Sequence, residues 1–434
     1  MKDFFDKLLD KFMQAASTKS ITALKDGFVL TMPITLIGSL FLLIANLPFS
    51  NYAGFMERTF GTQWNVGLNQ VSACTFDILA IIIAIGIGYA YAKNEGCDGI
   101  SSGILSLVSF LIVSASSVVS EGGEVVGSVI PRGWTGGNGV IAAILVGLLA
   151  SKIFCFFVKR KITIKMPAGV PEGVANAFTT LIPGFVIILL SMIVYQICMA
   201  LAGLSLTELI FEIFQVPMQN LSDTLAGGIV IVLLISLLFW AGLHGPNIVM
   251  GVMAPILTAN ALANQALVDS GTALAVENGA KIMTPQVIDN FVKFGGTGIT
   301  LGLLLAALLT ARSGQMREIS KLSVIPGFFN INEPVIFGLP IVFNPIMLIP
   351  FLAVPLAALL ITYGATAIGF LHPFNAVQVP WTTPPVISGF ILNGWRGALV
   401  QLIILILSVI VYLPFMRKQD AQYLESERAA KEQE

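Results

Sequence analysis

The chain has 434 residues, 56% of them hydrophobic and 11% charged, with a formal net charge of −1 and a mean hydropathy of +0.88. Soluble domains carry about 25% charged residues, so too little polar surface is present to cover a soluble globule. An all-α polytopic membrane protein is predicted. The four cysteines, Cys74, Cys97, Cys155 and Cys198, form no CxxC pair and lie mostly in apolar runs, which reads as core packing. Two histidines, His244 and His372, are too few for a His-rich metal centre, and no metal or other cofactor is expected.

In Met1 to Ser20, Phe4, Phe5, Leu8, Leu9, Phe12 and Met13 recur at helical spacing among seven charged residues. Residues 1–20 read as an amphipathic helix on the membrane surface rather than a cleavable signal peptide, with a solvated cytoplasmic helix as the alternative. Apolar runs able to cross about 30 Å of hydrocarbon follow near 27–47, 71–92, 99–118, 137–158, 178–202, 224–243, 247–267, 293–311, 345–366 and 395–416, about ten crossings in all. Pro255, Asn260 and Asn264 interrupt the seventh run, which leaves a re-entrant hairpin as the alternative there.

Basic residues test this count. Lys2 to Lys25, Lys93, the Lys152–Lys165 group, Arg312 to Lys321, and Arg417 with Lys418 all fall on one side if both termini are cytoplasmic and all ten runs cross. Arg58 and Arg132 are isolated exceptions. The segment 203–223 has helical periodicity and reads as lying along the surface. Residues 417–434 form a short charged cytoplasmic tail.

Two apolar stretches are too broken for ordinary spans: 324–344, VIPGFFNINEPVIFGLPIVFN, and 372–394, HPFNAVQVPWTTPPVISGFILNG. Proline removes a backbone donor and disfavours helix at the preceding residue. Non-helical backbone at membrane depth is tolerated only inside protein or along a cavity. Re-entrant hairpin loops are therefore predicted, of the kind that builds substrate sites in transporters.

The chemistry concentrates in these breaks. Glu333 is a carboxylate in an apolar context, suited to accept hydrogen bonds from hydroxyl groups, with Asn330 and Asn332 beside it as donors and acceptors. A backbone nest or an arginine pinning Glu333 is the alternative. His244 opens the turn His244-Gly245-Pro246-Asn247, and a neutral imidazole there can orient a hydroxyl or share a proton with Glu333. Trp381, Thr382 and Thr383 lie between prolines, where an indole face suits a pyranose ring and hydroxyls suit its rim; an interfacial belt tryptophan is the alternative. His372 reads as structural. Asp77 either pairs with a basic residue or lines a cavity. The glycine-rich run 133–139 lacks a phosphate-binding pattern and reads as a tight turn.

The segments FNINEPVIFGLPIVFNP (329–345), HGPN (244–247), PWTTPP (380–385), ALKDGFVLTMPITLIGSLFLL (23–43) and MPAGVPEGVANAFTTLIPG (166–184) together resemble the membrane-spanning IIC component of the bacterial phosphoenolpyruvate-dependent sugar phosphotransferase system, lactose/cellobiose/diacetylchitobiose type. The resemblance runs over nearly the whole chain. It implies a homodimer in the bacterial cytoplasmic membrane, with residues 21–202 as scaffold and dimerisation half and 203–416 as the substrate-binding transport half. It implies import of a β-linked disaccharide and presentation of its 6-hydroxyl to a separate IIB protein, with IIA upstream and no nucleic-acid partner. Carried onto this sequence, Glu333 and His244 would hold the reactive hydroxyl, with Asn247, Asn330, Asn332, Trp381 and Thr382 on the sugar. Glu172 stands where a neutral residue is expected. A proton-coupled sugar symporter, with Glu333 or Asp77 carrying the proton, is the rival reading.

Overall fold

The computed structural model describes residues 18–45, 52–120, 123–167, 169–339 and 341–431. The surface helix expected over 1–20 lies almost wholly outside them. The described chain is mostly helical. Its main helices are α1 (Lys19–Val29), α2 (Met32–Ala45), α3 (Val66–Phe76), α4 (Leu79–Asn94), α5 (Gly99–Ile112), α6 (Val140–Lys159), α7 (Glu172–Ala202), α8 (Leu225–Trp240), α9 (Gly245–Asp269), α10 (Leu301–Thr310), α11 (Gly314–Phe328), α12 (Glu333–Gly338), α13 (Pro345–Ala367) and α14 (Ile387–Lys431). A small antiparallel hairpin, β1 (Ser117–Val119) with β2 (Val125–Gly127), pairs Val118 with Val126.

Among the described residues, seven helical stretches are long and apolar enough to cross a membrane. An eighth is added if the bent pair Leu206–Ser222 and Leu225–Trp240 counts as one span. The expected crossings at 99–118 and 293–311 are instead the short apolar helices α5 and α10, of 14 and 10 residues. At 1.5 Å per residue, α10 reaches only about 15 Å, half of the hydrocarbon thickness. The cause is the run Phe294-Gly295-Gly296-Thr297-Gly298-Ile299, where all three glycines and Ile299 have positive φ. That backbone is left-handed and separates α10 from the π-helical turn Val287–Val292 upstream of it. The seventh run, by contrast, forms one continuous helix of 25 residues, α9, with Pro255 inside it. The expected surface segment over 203–223 is helical, with a π-helical turn at Phe211–Gln215.

The chain condenses into two units, each assembled from separate stretches: 1–42, 65–220 and 251–262 in the first, 43–64, 221–250 and 263–434 in the second. In the first unit α4, α5 and α6 pack through small residues, as close helix packing in lipid requires. A Cβ at Gly88 would run into Ser106, while Ser102 Oγ donates to the Gly88 carbonyl at 2.9 Å. Asp98 caps α5 by accepting from the Ile100 and Ser101 N–H groups. Glu95 pairs with Lys19 at 2.5 Å and with Lys159, and its carboxylate is largely covered. The hydrogen bonds from Lys159 and Lys19 hold its carboxyl below the ordinary carboxylate range. This tie is complete above the ordinary carboxylate pKa and is lost as pH falls through the lowered value. α7 is apolar over its length and leaves Phe185 and Leu201 uncovered, as a lipid-facing helix does.

In the second unit Phe291, Phe294, Phe351 and Tyr412 are fully buried. Tyr412 donates its hydroxyl to the Gly298 carbonyl at 2.7 Å. Asp223 accepts from the Ile282 and Met283 N–H groups at 2.7 and 2.8 Å, giving the α8 approach a fixed partner. α10 packs on α14 where Gly302 meets Ser408, and a Cβ at Gly302 would overlap the Ser408 side chain. The kink in α14 at Asn393 and Gly394 follows from Gly394, with φ +60° and ψ −153°. Gly302→Ala is expected to destabilise the purified protein by about 1–3 kcal/mol through overpacking. Ser408→Gly in the same chain should recover only part of that loss, because the Ser408 backbone also lies 2.8 Å from the added Cβ, read as the thermal midpoint in detergent.

Candidate functional site

The residues expected to touch the sugar, His244, Asn247, Asn330, Asn332, Glu333, Trp381 and Thr382, all fall in the second unit. The first group is the turn joining α8 to α9. Gly242 takes φ +82°, and the Leu243 N–H reaches back to the Leu238 carbonyl at 2.9 Å. A Cβ at Gly245 would overlap the Ile235 carbonyl, so no other residue fits without movement. Pro246 sits in the first turn of α9, where its missing N–H has no helical partner to lose. His244 is the N-cap of α9: its Nδ1 accepts from the Asn247 N–H at 3.3 Å. In a neutral ring that acceptor role leaves the proton on Nε2 as a donor. The His244 ring stands edge-on to Phe239, 5.2 Å between centroids. Both His244 and Asn247 are exposed.

This turn is tied to the segment after α12. Trp240 Nε1 donates to the Asn344 carbonyl at 2.9 Å, the Phe343 N–H donates to the Trp240 carbonyl at 3.0 Å, and the two rings meet edge to face. Asn344 in turn caps α13 and donates to Gln419 Oε1 at 2.9 Å.

The second group is the NINEP turn between α11 and α12. The backbone of Glu333 opens α12, with Pro334 in its first turn. The Glu333 side chain, like that of Glu172, lies outside the described residues. Asn332 is 4% exposed and donates from Nδ2 to the Thr297 carbonyl at 2.8 Å. Gly296 has no room for a Cβ because the Asn332 side chain occupies that space. Asn330 accepts from the Gly295 N–H at 2.5 Å and donates to the carbonyls of Trp381 and, at 2.9 Å, Thr383. Asn330, Asn332, Trp381 and Thr383 are thus drawn together around the glycine-rich run. Trp381 is 45% exposed and Thr382 half-buried.

The segment 371–386 carries Trp381 without regular secondary structure. Three further amides hold it. Asn264 donates to the Phe374 and Lys281 carbonyls, and Gln286 donates to the Asn375 and Val377 carbonyls at 2.8 and 2.7 Å. Gln401 is fully buried; it accepts from the Val386 and Gly389 N–H groups and donates to the Asn290 carbonyl and to Ser388 Oγ. Neither Gln286 nor Gln401, nor the 294–299 run, stood out in the sequence. For Gln401 the available signal was a single amide in an apolar stretch, ALVQLIILIL.

The remaining candidates are elsewhere. His372 is exposed, with its backbone held on both sides by Asn393. Asp77 lies in the first unit, at the break between α3 and α4, and pairs with Arg132 at 3.8 Å. Of the two roles open for it, pairing with a basic residue is the one seen.

The family profile described as "Phosphotransferase system, EIIC" matches residues 25–355. The chain belongs to that family. It is 38% identical to the lichenan permease IIC component of Bacillus subtilis (strain 168), over 97% of this chain and 94% of that one. It is 34% identical to the cellobiose-specific EIIC component of Geobacillus stearothermophilus, over 99% and 97%. A crystal structure of the transporter ChbC, the IIC component of the N,N'-diacetylchitobiose-specific phosphotransferase system, superposes with a TM-score of 0.90 at 36% identity, covering 96% of each chain. The chain is therefore a polytopic EIIC permease component of a sugar phosphotransferase system.

The His244 turn separates a capping role from a chemical one. His244→Ala is expected to destabilise the protein by about 1 kcal/mol through loss of the N-cap. His244→Asn should keep the cap and the thermal midpoint while removing the imidazole. Scanning calorimetry of both variants in detergent checks the order.

Proposed function

We propose that this EIIC chain imports a β-linked disaccharide, of the cellobiose, N,N'-diacetylchitobiose or lactose class, and presents its 6-hydroxyl to a phosphorylated IIB protein that is itself charged by IIA. The sugar class follows from the names of the similar proteins, which include lichenan, cellobiose and N,N'-diacetylchitobiose permease components. The observation that carries the site is the Asn330 side chain, which bonds the turn leading to Glu333 to the backbone of Trp381. A carboxylate and an indole are the two groups a sugar site needs, one for hydroxyls and one for the ring face.

In this reading the segments 324–344 and 372–394 re-enter the membrane, and the sugar lies between them and the His244 turn. Trp381 stacks on a ring. Asn247 and Thr382 contact hydroxyls, Asn332 fixes the turn to the Thr297 carbonyl, and His244 donates from Nε2 to the 6-oxygen. Glu333, ionised, accepts a hydrogen bond from the 6-hydroxyl and takes its proton as the oxygen attacks the phosphorus of the IIB phosphocysteine. The O–P bond forms as the S–P bond breaks, and the thiolate leaves with IIB. The product is a dianion that an apolar pathway does not return. The protein works as a homodimer with both termini cytoplasmic, so that IIB meets the site from the cytoplasm.

Uptake into right-side-out vesicles carrying the chain, with phosphorylated IIB enclosed where it is used, tests this directly. Labelled cellobiose, N,N'-diacetylchitobiose and lactose are offered with and without phosphorylated IIB. Sugar phosphate formed only with IIB supports the proposal and identifies the sugar. Unmodified sugar accumulating under a proton gradient without IIB overturns it in favour of a symporter. Glu333→Gln is expected to lower the phosphorylation rate about 100-fold or more, as loss of a general base does, while sugar binding stays within about tenfold of the unaltered protein.

A further inference from the structure

Asn330 stands in the left-handed region, at φ +67°. Asn tolerates that conformation better than other residues with a Cβ, and glycine adopts it freely. The residue thereby turns the chain out of α11, whose C-cap is Phe329, and towards α12. Its amide reaches three backbone groups from two other segments. Oδ1 accepts from the Gly295 N–H, and the two Nδ2 protons go to the Trp381 and Thr383 carbonyls. An amide nitrogen has two protons, so this one has no donor left for a sugar.

The chain around Trp381 depends on these bonds. Residues 381–383 belong to no helix or strand, and their local backbone support is the Thr383 N–H to the Pro380 carbonyl at 2.8 Å. The Trp381 side chain is 45% exposed, so the position of its ring follows from where its backbone is held. On the other side, the neighbouring Asn332 fixes the same turn to the Thr297 carbonyl. The anchored turn therefore leads directly into Glu333 in one direction and reaches Trp381 through a single side chain in the other.

We propose that Asn330 is a positioning residue: it acts through the Trp381 backbone to set the indole relative to the turn that carries Glu333, and does not itself touch the sugar. The proposal rests on the sugar-site reading above and assigns Asn330 a role different from the direct contact expected from the sequence.

The test is a double-mutant cycle on the full-length chain in lipid nanodiscs, titrated calorimetrically with cellobiose, N,N'-diacetylchitobiose and lactose in turn. Asn330→Gly keeps the left-handed backbone without steric cost and deletes all three bonds. Asn330→Asp keeps an acceptor for Gly295 and loses both donors. Each is expected to weaken the affinity for the bound sugar by about tenfold, the scale of one or two lost hydrogen bonds. Trp381→Ala should weaken it at least as much, and adding Asn330→Gly to Trp381→Ala should give no further loss, because the latch then has nothing to position. Two results overturn the latch alone: wild-type affinity in both Asn330 variants, or an Asn330→Gly loss that is the same size with and without Trp381. Wild-type affinity in Trp381→Ala, or binding of none of the three sugars by the unaltered chain, overturns the sugar-site reading and this proposal with it. A loss in Asn330→Gly that Asn330→Asp does not share would place the effect at Gly295 and also overturn the latch.

Discussion

Unladdered backbone is the constraint on which the second unit turns. Away from water, each unmatched N–H or carbonyl costs several kcal/mol, and this unit carries stretches outside any helix, at 293–300, 341–344 and 371–386. Ordinary membrane helices satisfy such groups within themselves. Here side-chain amides take over. Asn264, Gln286, Asn330, Asn332 and Gln401 each bond backbone groups of another segment. An amide suits this role better than a carboxylate or an ammonium because it offers donors and an acceptor without a charge to desolvate.

The same constraint explains where the glycines and prolines stand. The run 294–299 must pass under Asn332 and Phe351, which already occupy the space a Cβ at Gly296 or Gly298 would need. Close approach lets the Asn332 and Tyr412 side chains reach the Thr297 and Gly298 carbonyls. At the α8–α9 turn, Gly245 lets the chain press against the Ile235 carbonyl, and His244 then satisfies the Asn247 N–H. The broken segments are therefore built features held by these contacts, rather than slack between helices.

The sequence made the breaks legible because proline and glycine leave a signal that does not depend on tertiary structure. Glu333, His244 and Trp381 stand out as candidates for the same reason: a polar or aromatic group beside a helix break in an apolar run is rare. What could not be read was which amides do the holding. Gln401 lies in an apolar helix and looks in the sequence like any tolerated polar residue; its four partners come from segments up to 111 positions away. The apolar run 293–311 does not form one helix, because Gly295, Gly296 and Gly298 interrupt it. Their left-handed backbone is imposed by packing against residues far along the chain, Asn332 and Phe351 among them. Asp77 shows the converse, a carboxylate whose partner, Arg132, had been visible only as an exception to the charge pattern.

Burial then divides the candidate residues by role. Asn332, Gln286 and Gln401 are buried and bonded to backbone, so altering them would act first on the frame. His244, Asn247 and Trp381 are exposed, so they are the groups left facing outward from it. A disaccharide carries hydroxyls that need donors and acceptors and ring faces that need an apolar surface, and exposed side chains can meet those needs only if their backbones do not drift. Effective catalysis and binding fall off steeply with misplacement of about 1 Å. A frame of neutral amides is a means of holding such groups on irregular backbone, where neither helix nor sheet can fix them. That is why the residues that look most like sugar ligands in sequence, the asparagines of the NINEP turn, are in the fold committed to the protein's own backbone.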